Sequence, residues 1–119
     1  MARRLVVKVT CGAEAAERCN QALTVAATAL AAGAEVSVWL TGEAVWLAVP
    51  GRIDLALPHA TPVADLVAAV LDGGALTVCS QCAVRRELTE ADLLPGTTIA
   101  GAASFVAHAL EDDVQALVY

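Results

Sequence analysis

The sequence predicts an α/β fold, in which a doubly wound, mostly parallel five-stranded sheet carries helices on both faces. Short apolar, β-branched runs recur along the chain, and each is followed by a helical pattern before the next run begins. Strict alternation of this kind indicates right-handed crossovers between parallel strands. A length of 119 residues is enough for one sizeable core. We therefore expect a single domain spanning residues 1–119.

The first third of the chain predicts two strands around a long helix. Residues Leu5–Thr10 (LVVKVT) are almost wholly apolar, which is typical of a strand buried on both faces of a parallel sheet. The alanine-rich stretch Ala13–Ala32 has acidic residues near its start and is followed by Gly33, so it predicts the first helix. Residues Glu35–Leu40 (EVSVWL) predict the second strand.

The middle of the chain predicts a short helix, a loop and a second long helix. Residues 41–49 (TGEAVWLAV) favour a short helix, and 51–61 form a loop. Thr61 and Pro62 are suited to the N-cap and first position of a helix that ends at the glycine pair 73–74.

The last third predicts three strands and a helix. Residues Ala75–Val78 form the third strand and lead directly to Cys79, and Thr89 with Asp92 favours a further helical turn. The remaining predicted elements are a strand at Thr97–Ala100, a helix at Ala102–Leu110 and a strand at Val114–Val118.

Composition excludes several classes of function. The net charge of -6 argues against nucleic acid or an anionic membrane as the main partner. No apolar run is long enough to cross a membrane, and the N-terminal run is interrupted by Lys8 and too short for a signal peptide. We therefore expect a cytoplasmic protein, in which cysteines are thiols, ligands or catalysts more often than disulfides. The apolar share of 58% also favours self-association.

Two cysteines follow strands of the predicted sheet. Sites in doubly wound sheets lie at the carboxyl ends of the strands. Cys11 follows the first strand and Cys79 follows the third, so both are expected at the same edge. The strand order decides whether they approach each other.

The segment VCSQCAVRREL has the features of a reactive thiol. If a helix begins at Ser80 or Gln81, Cys79 meets the unpaired N–H groups at the helix start, and these lower the pKa of a thiol. Arg85 and Arg86 follow Cys82 by three and four residues, which places positive charge on the same side of the helix. Cys79 is therefore the candidate nucleophile, with Cys82 as a neighbouring thiol.

Other roles for the cysteines and histidines have less support. Cys19 is expected on the buried face of the first helix as a small apolar residue. A zinc site needs further ligands, and His59 and His108 fall in unrelated segments. The loops that usually cradle phosphates are absent from the sequence. We expect neither a metal nor another cofactor.

Three segments carry a resemblance to a known family. They are the Thr10-Cys11-Gly12 turn after the first strand, the VSVWLTG segment 36–42, and Cys79 followed six and seven residues later by Arg85 and Arg86. Together with the order of the elements, they resemble the DsrE/DsrF-like (YchN-like) family of small sulfur-relay proteins, nearly end to end.

The resemblance implies a function. Cys79 corresponds to the cysteine that accepts sulfane sulfur as a persulfide from a donor protein and passes it to an acceptor protein. The family also implies trimers or hexamers. The chain departs from the family's carrier pattern in having Glu87 where a glycine tends to follow the arginine pair, and in having Cys82. A second thiol at that position could resolve the persulfide to a disulfide and release sulfide.

Three hypotheses therefore stand. The leading one is a sulfurtransferase-like sulfur carrier with Cys79 as the persulfide-bearing residue, Cys82 as an auxiliary thiol and Arg85, Arg86 and Cys11 in supporting positions. The second is a thiol–disulfide redox protein that uses Cys79 and Cys82 as a pair. The third is a non-catalytic oligomeric module.

Overall fold

The computed structural model describes residues 3–119 and contains five strands and four α-helices. The strands are β1 (Arg4–Val9), β2 (Glu35–Leu40), β3 (Ala75–Cys79), β4 (Thr98–Ala100) and β5 (Val114–Val118). The helices are α1 (Ala16–Ala31), α2 (Val63–Gly73), α3 (Ser80–Arg85) and α4 (Ala102–Ala109). Short 3₁₀ helices occupy Ala13–Ala15, Gly42–Ala48 and Glu90–Asp92. The sheet order is β4-β3-β2-β1-β5, and every strand pair is parallel, which confirms the predicted fold class.

One face of the sheet is covered by α1 and α2. Side chains alternate between the two faces along each strand, and those beneath α1 and α2 are aliphatic. We call this the α1–α2 face. Its floor consists of Val7, Val9, Val36, Val38, Leu40, Leu76 and Val78. Leu23 of α1 and Val70 of α2 are fully buried against it, so the main core of the protein lies on this side.

The opposite face is covered by α4 and has a different floor. We call it the α4 face, and its central residues are Val6, Lys8, Ser37, Trp39 and Thr77. Phe105 of α4 packs edge-on against Trp39, with ring centroids 5.4 Å apart. No residue of α4 is fully buried, and its Val106 is 50% exposed. This face is therefore covered more thinly than the other.

The order of the strands opens a crevice at one edge. The chain steps from β1 through β2 and β3 to β4, and then returns past all of them to place β5 beside β1. Consequently α3, which follows β3, contributes Cys82 and Ala83 to the main core, whereas α4, which follows β4, covers the other face. Adjacent strands whose connections leave toward opposite faces form the crevice in which doubly wound proteins bind ligands.

Several predicted boundaries were wrong by a residue or one turn. Strand β1 begins and ends one residue earlier than predicted, and the start of the first helix is a separate 3₁₀ turn. Pro62, and not Thr61, is the N-cap of α2, because its extended backbone (ψ 136°) leaves its carbonyl to accept the N–H of Leu66. No helix within residues 3–119 has the length and apolarity that a membrane span requires.

Candidate functional site

Cys79 occupies the junction between β3 and α3. The strand ALTVC brings buried apolar residues to the carboxyl edge of the sheet, and helix α3 begins at the next residue. Cys79 is the N-cap of that helix, with an extended backbone (φ -61°, ψ 127°). Its side chain is partly exposed, whereas Cys11, Cys19 and Cys82 are buried. This placement agrees with the predicted helix start and gives Cys79 alone among the cysteines access to solvent.

The surroundings of Cys79 favour its thiolate. Partial burial acts to raise the pKa of Cys79, but hydrogen bonds from the backbone and thiol of Cys82 and from the backbone of Gln81 act against it. The charge of Arg85 acts in the same direction as those hydrogen bonds, and the net result is a pKa below the ordinary value of 9.0. Cys79 is therefore richer in the nucleophilic form than an ordinary cysteine at neutral pH.

Cys82 is buried in the main core, and its sulfur accepts a hydrogen bond from the backbone of Gly42. Its side chain is 8% exposed and belongs to the main core. The backbone N–H of Gly42 donates a hydrogen bond to the Cys82 sulfur, with a distance of 3.2 Å from nitrogen to sulfur. The Cys82 thiol can also donate a hydrogen bond, and its side chain is one of the causes of the lowered pKa of Cys79.

The two arginines have different positions. Arg85 is exposed at the last turn of α3, and its charge contributes to the lowered pKa of Cys79. Arg86 instead donates to Glu43 from Nε at 3.1 Å and from a terminal nitrogen at 2.8 Å, and it also donates to the carbonyl of Cys82 at 3.2 Å. Arg86 therefore ties the end of α3 to the 3₁₀ helix that begins at Gly42.

Cys11 lies at the same edge of the sheet, as predicted, but on a different strand. It follows β1, and β2 separates β1 from β3. With strands about 4.8 Å apart, the backbone of Cys11 is roughly 10 Å from that of Cys79, beyond the reach of a disulfide. Burial raises the pKa of Cys11, with Arg18 opposing that rise. The structure therefore does not bring Cys11 to Cys79.

Cys19 is fully buried on α1, as expected for a small apolar residue. Burial, with a smaller contribution from Cys11, raises its pKa to about 12. Within residues 3–119, no three His, Cys, Asp or Glu side chains come together in a way that could hold a metal ion. His59 is an exposed loop residue, and His108 lies on α4, far from it in the chain.

A small cavity adjoins Cys79 on the α4 face. It has a volume of about 60 Å³, and its walls include Lys8, Trp39, Thr41, Cys79, Gly101 and Phe105. Sequence reasoning missed Lys8 at this site, although a charged residue inside an apolar strand was a visible signal. It also missed Gly42 and Glu43, whose contacts with Cys82 and Arg86 join residues about forty positions apart and leave no local pattern.

The sequence and the fold are similar to those of known proteins. The model of the DsrE/DsrF-like family matches residues 3–115. YchN from E. coli superposes with a TM-score of 0.82 at 14% identity, over 98% of this chain and 99% of that one. MTH1491 from Methanobacterium thermoautotrophicum superposes with a TM-score of 0.77 at 12% identity, also over 98% of this chain and 99% of that one.

These comparisons differ in what they support. No curated protein matches the sequence significantly. The solved structures share the fold at an identity too low to carry more than the fold, whereas the family model spans nearly the whole chain. The expected resemblance is confirmed, and the chain belongs to the DsrE/DsrF-like family.

Proposed function

We propose that this protein is a sulfur carrier that holds sulfane sulfur as a persulfide on Cys79. The observation that carries the proposal is the contrast among the four cysteines. Only Cys79 combines partial exposure with a lowered pKa, and it stands at the carboxyl edge of the sheet beside a cavity. Membership of a family of sulfur-relay proteins supports the same reaction.

The transfer needs no external oxidant or reductant. The Cys79 thiolate attacks the outer sulfur of a donor persulfide R–S–SH, a new S–S bond forms at Cys79, and the donor leaves as the thiolate R–S⁻. The reverse steps on an acceptor thiolate deliver the sulfur. The hydrogen-bond donors at Gln81 and Cys82 that favour the Cys79 thiolate also favour its return as the leaving group.

The test is the intact mass of the reduced protein after incubation with a persulfide donor. We expect a gain of one sulfur, about 32 Da, in the unaltered protein and in Cys82→Ser, and no gain in Cys79→Ser. Cys19→Ser serves as a control for loss of a thiol away from the site. Unchanged sulfur uptake in Cys79→Ser would contradict the proposal.

A thiol–disulfide redox pair is the second candidate. The contribution of the Cys82 side chain to the lowered pKa of Cys79 favours it, because it means that the two thiols are neighbours. In this chemistry the Cys82 thiolate attacks the inner sulfur of the Cys79 persulfide, the disulfide forms and hydrosulfide leaves. The same experiment separates the candidates, because this product loses two hydrogens, about 2 Da, instead of gaining sulfur, and it requires both cysteines.

We further propose that the relay operates in the cytoplasm with donor and acceptor proteins and that the chain assembles as a trimer or hexamer. Exposed apolar side chains support self-association, because a contact between copies of the chain would remove their surface from water. Leu110, the C-cap of α4, is 78% exposed, and Val118 on the edge strand β5 is 64% exposed. Sedimentation analysis tests the assembly, and a monomer at all concentrations would contradict it.

A further inference from the structure

Lys8 is a cation without an obvious structural role. It lies inside β1, between β2 and β5, and its neighbours on the α4 face of that strand are Val6, which is buried, and Arg4, which pairs with Glu35 and Glu111. Among residues 3–119, its ammonium group forms no ion pair, and its recorded contact is with the ring of Phe105, 5.2 Å from the ring centre. Lys8 is only partly buried, and the Phe105 ring offsets part of the cost of placing its charge in the sheet. Its ammonium group is therefore free to pair with an anion.

Lys8 and Cys79 line the same cavity. The cavity measures about 60 Å³ and is walled by Trp39, Phe105 and the start of α4. This volume accommodates a few non-hydrogen atoms, and the cavity is open to solvent on one side, so a longer molecule can extend outward. A nucleophilic sulfur and an unpaired cation thus face a common space.

Trp39 lines this cavity and also a neighbouring one that contains Ser37 and His108, and its side chain carries a further donor. Trp39 is 6% exposed, and its indole N–H is buried without a hydrogen-bond partner among the described residues. Buried polar groups are normally satisfied, so an orphan donor indicates a missing acceptor. The first turn of α4 adds free backbone N–H groups beyond Gly101, which has no side-chain cap to satisfy them.

The distance between Lys8 and Cys79 limits which ligands can contact both residues. Lys8 pairs with Trp39 across β1 and β2, and Trp39 pairs with Thr77 across β2 and β3, so Lys8 lies two strands from the strand that ends at Cys79. With strands about 4.8 Å apart and about 3.3 Å per residue from Thr77 to Cys79, roughly 12 Å separates the backbones of Lys8 and Cys79, which the lysine side chain only partly spans. A ligand that reaches both groups has its anionic group and its sulfur at opposite ends of a short chain.

We infer that the cavity binds a small carboxylate-bearing persulfide, with the carboxylate at Lys8 and the outer sulfur at Cys79. The inference rests on the proposed function, and it adds a small-molecule donor that loads Cys79 besides the donor proteins proposed above. The Cys79 thiolate takes the outer sulfur, and the carboxylate-bearing thiolate leaves. Lys8 is then a residue that determines specificity by charge.

The first test needs no sulfur transfer. Iodoacetate and iodoacetamide alkylate the same thiolate and differ in charge, so the ratio of their rates at Cys79 reports the local potential independently of the thiolate fraction. We expect Lys8→Met to lower the iodoacetate-to-iodoacetamide ratio roughly threefold to tenfold, and Lys8→Arg to retain it. Arg3→Met removes the same charge from an exposed residue just before β1, at the end of the strand away from Cys79, and is the matched control. An unchanged ratio in Lys8→Met would overturn the inference.

The second test uses the persulfides of mercaptoacetate and mercaptoacetamide, which are nearly equal in size and differ in charge. We expect faster sulfur uptake at Cys79 from the mercaptoacetate donor, a preference that Lys8→Met removes and Lys8→Arg keeps. Equal uptake from both donors in the unaltered protein overturns the inference and leaves the proposed function intact. No uptake from either donor overturns both. Circular dichroism of each variant shows whether its fold is retained, and Lys8→Arg keeps the inference testable if Lys8→Met does not fold.

Discussion

The α1–α2 face and the α4 face belong to the same strands but bury different kinds of side chain. The first is a continuous aliphatic layer closed by two helices, and it also buries Cys19 and Cys82. The second has Lys8, a buried serine and a buried threonine on its floor, beneath one helix of eight residues. Packing on the α1–α2 face specifies the fold. The α4 face instead contains polar side chains and the cavity that adjoins Cys79.

The two faces also differ in how they change the pKa of a cysteine, because one raises the pKa of Cys19 and the end of β3 lowers the pKa of Cys79. Cys19 is enclosed by aliphatic side chains, and burial without hydrogen-bond donors raises its pKa to about 12. Cys79 is also desolvated, but the start of α3 and the Cys82 thiol supply donors, and the pKa of Cys79 falls. The donors at the end of the strand, and not exposure alone, separate the reactive thiol from the inert one.

The largest expected effect concerns Cys19 at alkaline pH. The folded pKa of about 12 exceeds the reference value of 9.0, so the native state keeps a proton that the unfolded chain loses above pH 9. Stability from this group is complete below pH 9 and falls as the pH rises toward 12, by up to about 4 kcal/mol. Urea unfolding between pH 8 and pH 11 measures the loss. We expect a shallower decline in Cys19→Ala.

Cys79 provides the control for this linkage, because its shift has the opposite sign. A folded pKa below 9.0 means that the thiolate contributes stability above the reference pKa and that this contribution is lost as the pH falls through the folded value. Cys79→Ala is therefore expected to remove a stabilisation that the unaltered protein has at pH 9 and above. Parallel pH profiles for the unaltered protein and Cys19→Ala would contradict the assigned environment of Cys19.

The next prediction compares a leucine-to-alanine substitution on the α1–α2 face with the same substitution on the α4 face. Leu23 is fully buried on α1, whereas Leu110, at the end of α4, is 78% exposed. We expect Leu23→Ala to lower the free energy of unfolding by about 3 kcal/mol, from lost burial and the cavity left behind. Leu110→Ala should change it by less than about 0.5 kcal/mol. Urea midpoints at low protein concentration, with unchanged slopes, measure both.

Comparable losses in the two variants would mean that Leu110 is covered in solution. Repeating the measurement at a higher protein concentration shows whether Leu110 is covered by another copy of the chain or within its own chain. A loss for Leu110→Ala that grows with concentration indicates a contact between copies of the chain, because association stabilises the folded state by mass action. A loss that does not depend on concentration contradicts the thin cover described for the α4 face.

The fold could be predicted because its signals are local. Apolar strands such as β2 and the glycine after α1 mark elements by residues that adjoin in sequence, and alternation then dictates parallel strands. The boundary at Pro62 could not be placed, because α2 begins without a side-chain cap and only the backbone conformation of Pro62 marks it as the N-cap. Helix ends are generally uncertain by a residue or two.

The site could be predicted only in part. The position of Cys79 at a helix start follows from its place between a strand and a helix, and the structure agrees. The strand order, which separates Cys11 from Cys79, depends on long-range pairing that one sequence does not reveal. The partner of Arg86 was equally hidden, because Glu43 is far from it in the chain and no spacing rule connects them.

The smallest expected effects separate the adjacent arginines. Arg85 is exposed and acts on Cys79 through its charge, so Arg85→Gln should raise the pKa of Cys79 and change the free energy of unfolding by less than about 0.5 kcal/mol. Arg86 pairs with Glu43 in a partly exposed contact, with side-chain exposures of 20% and 52%. Arg86→Gln should therefore lower stability by roughly 0.5 to 1 kcal/mol. The pH dependence of iodoacetamide alkylation at Cys79 measures the pKa in each variant.

The two variants form a matched pair, because each removes one positive charge within one residue of the other. If net charge alone favours the Cys79 thiolate, both variants raise the pKa of Cys79 equally, and the separate roles assigned to the arginines are wrong. If position decides, only Arg85→Gln raises the pKa, and only Arg86→Gln lowers the urea midpoint. Glu43→Gln then tests the structural role of Arg86 by changing its partner in the ion pair. It breaks the same ion pair while removing a negative charge, so it should reproduce the stability loss of Arg86→Gln without raising the pKa of Cys79.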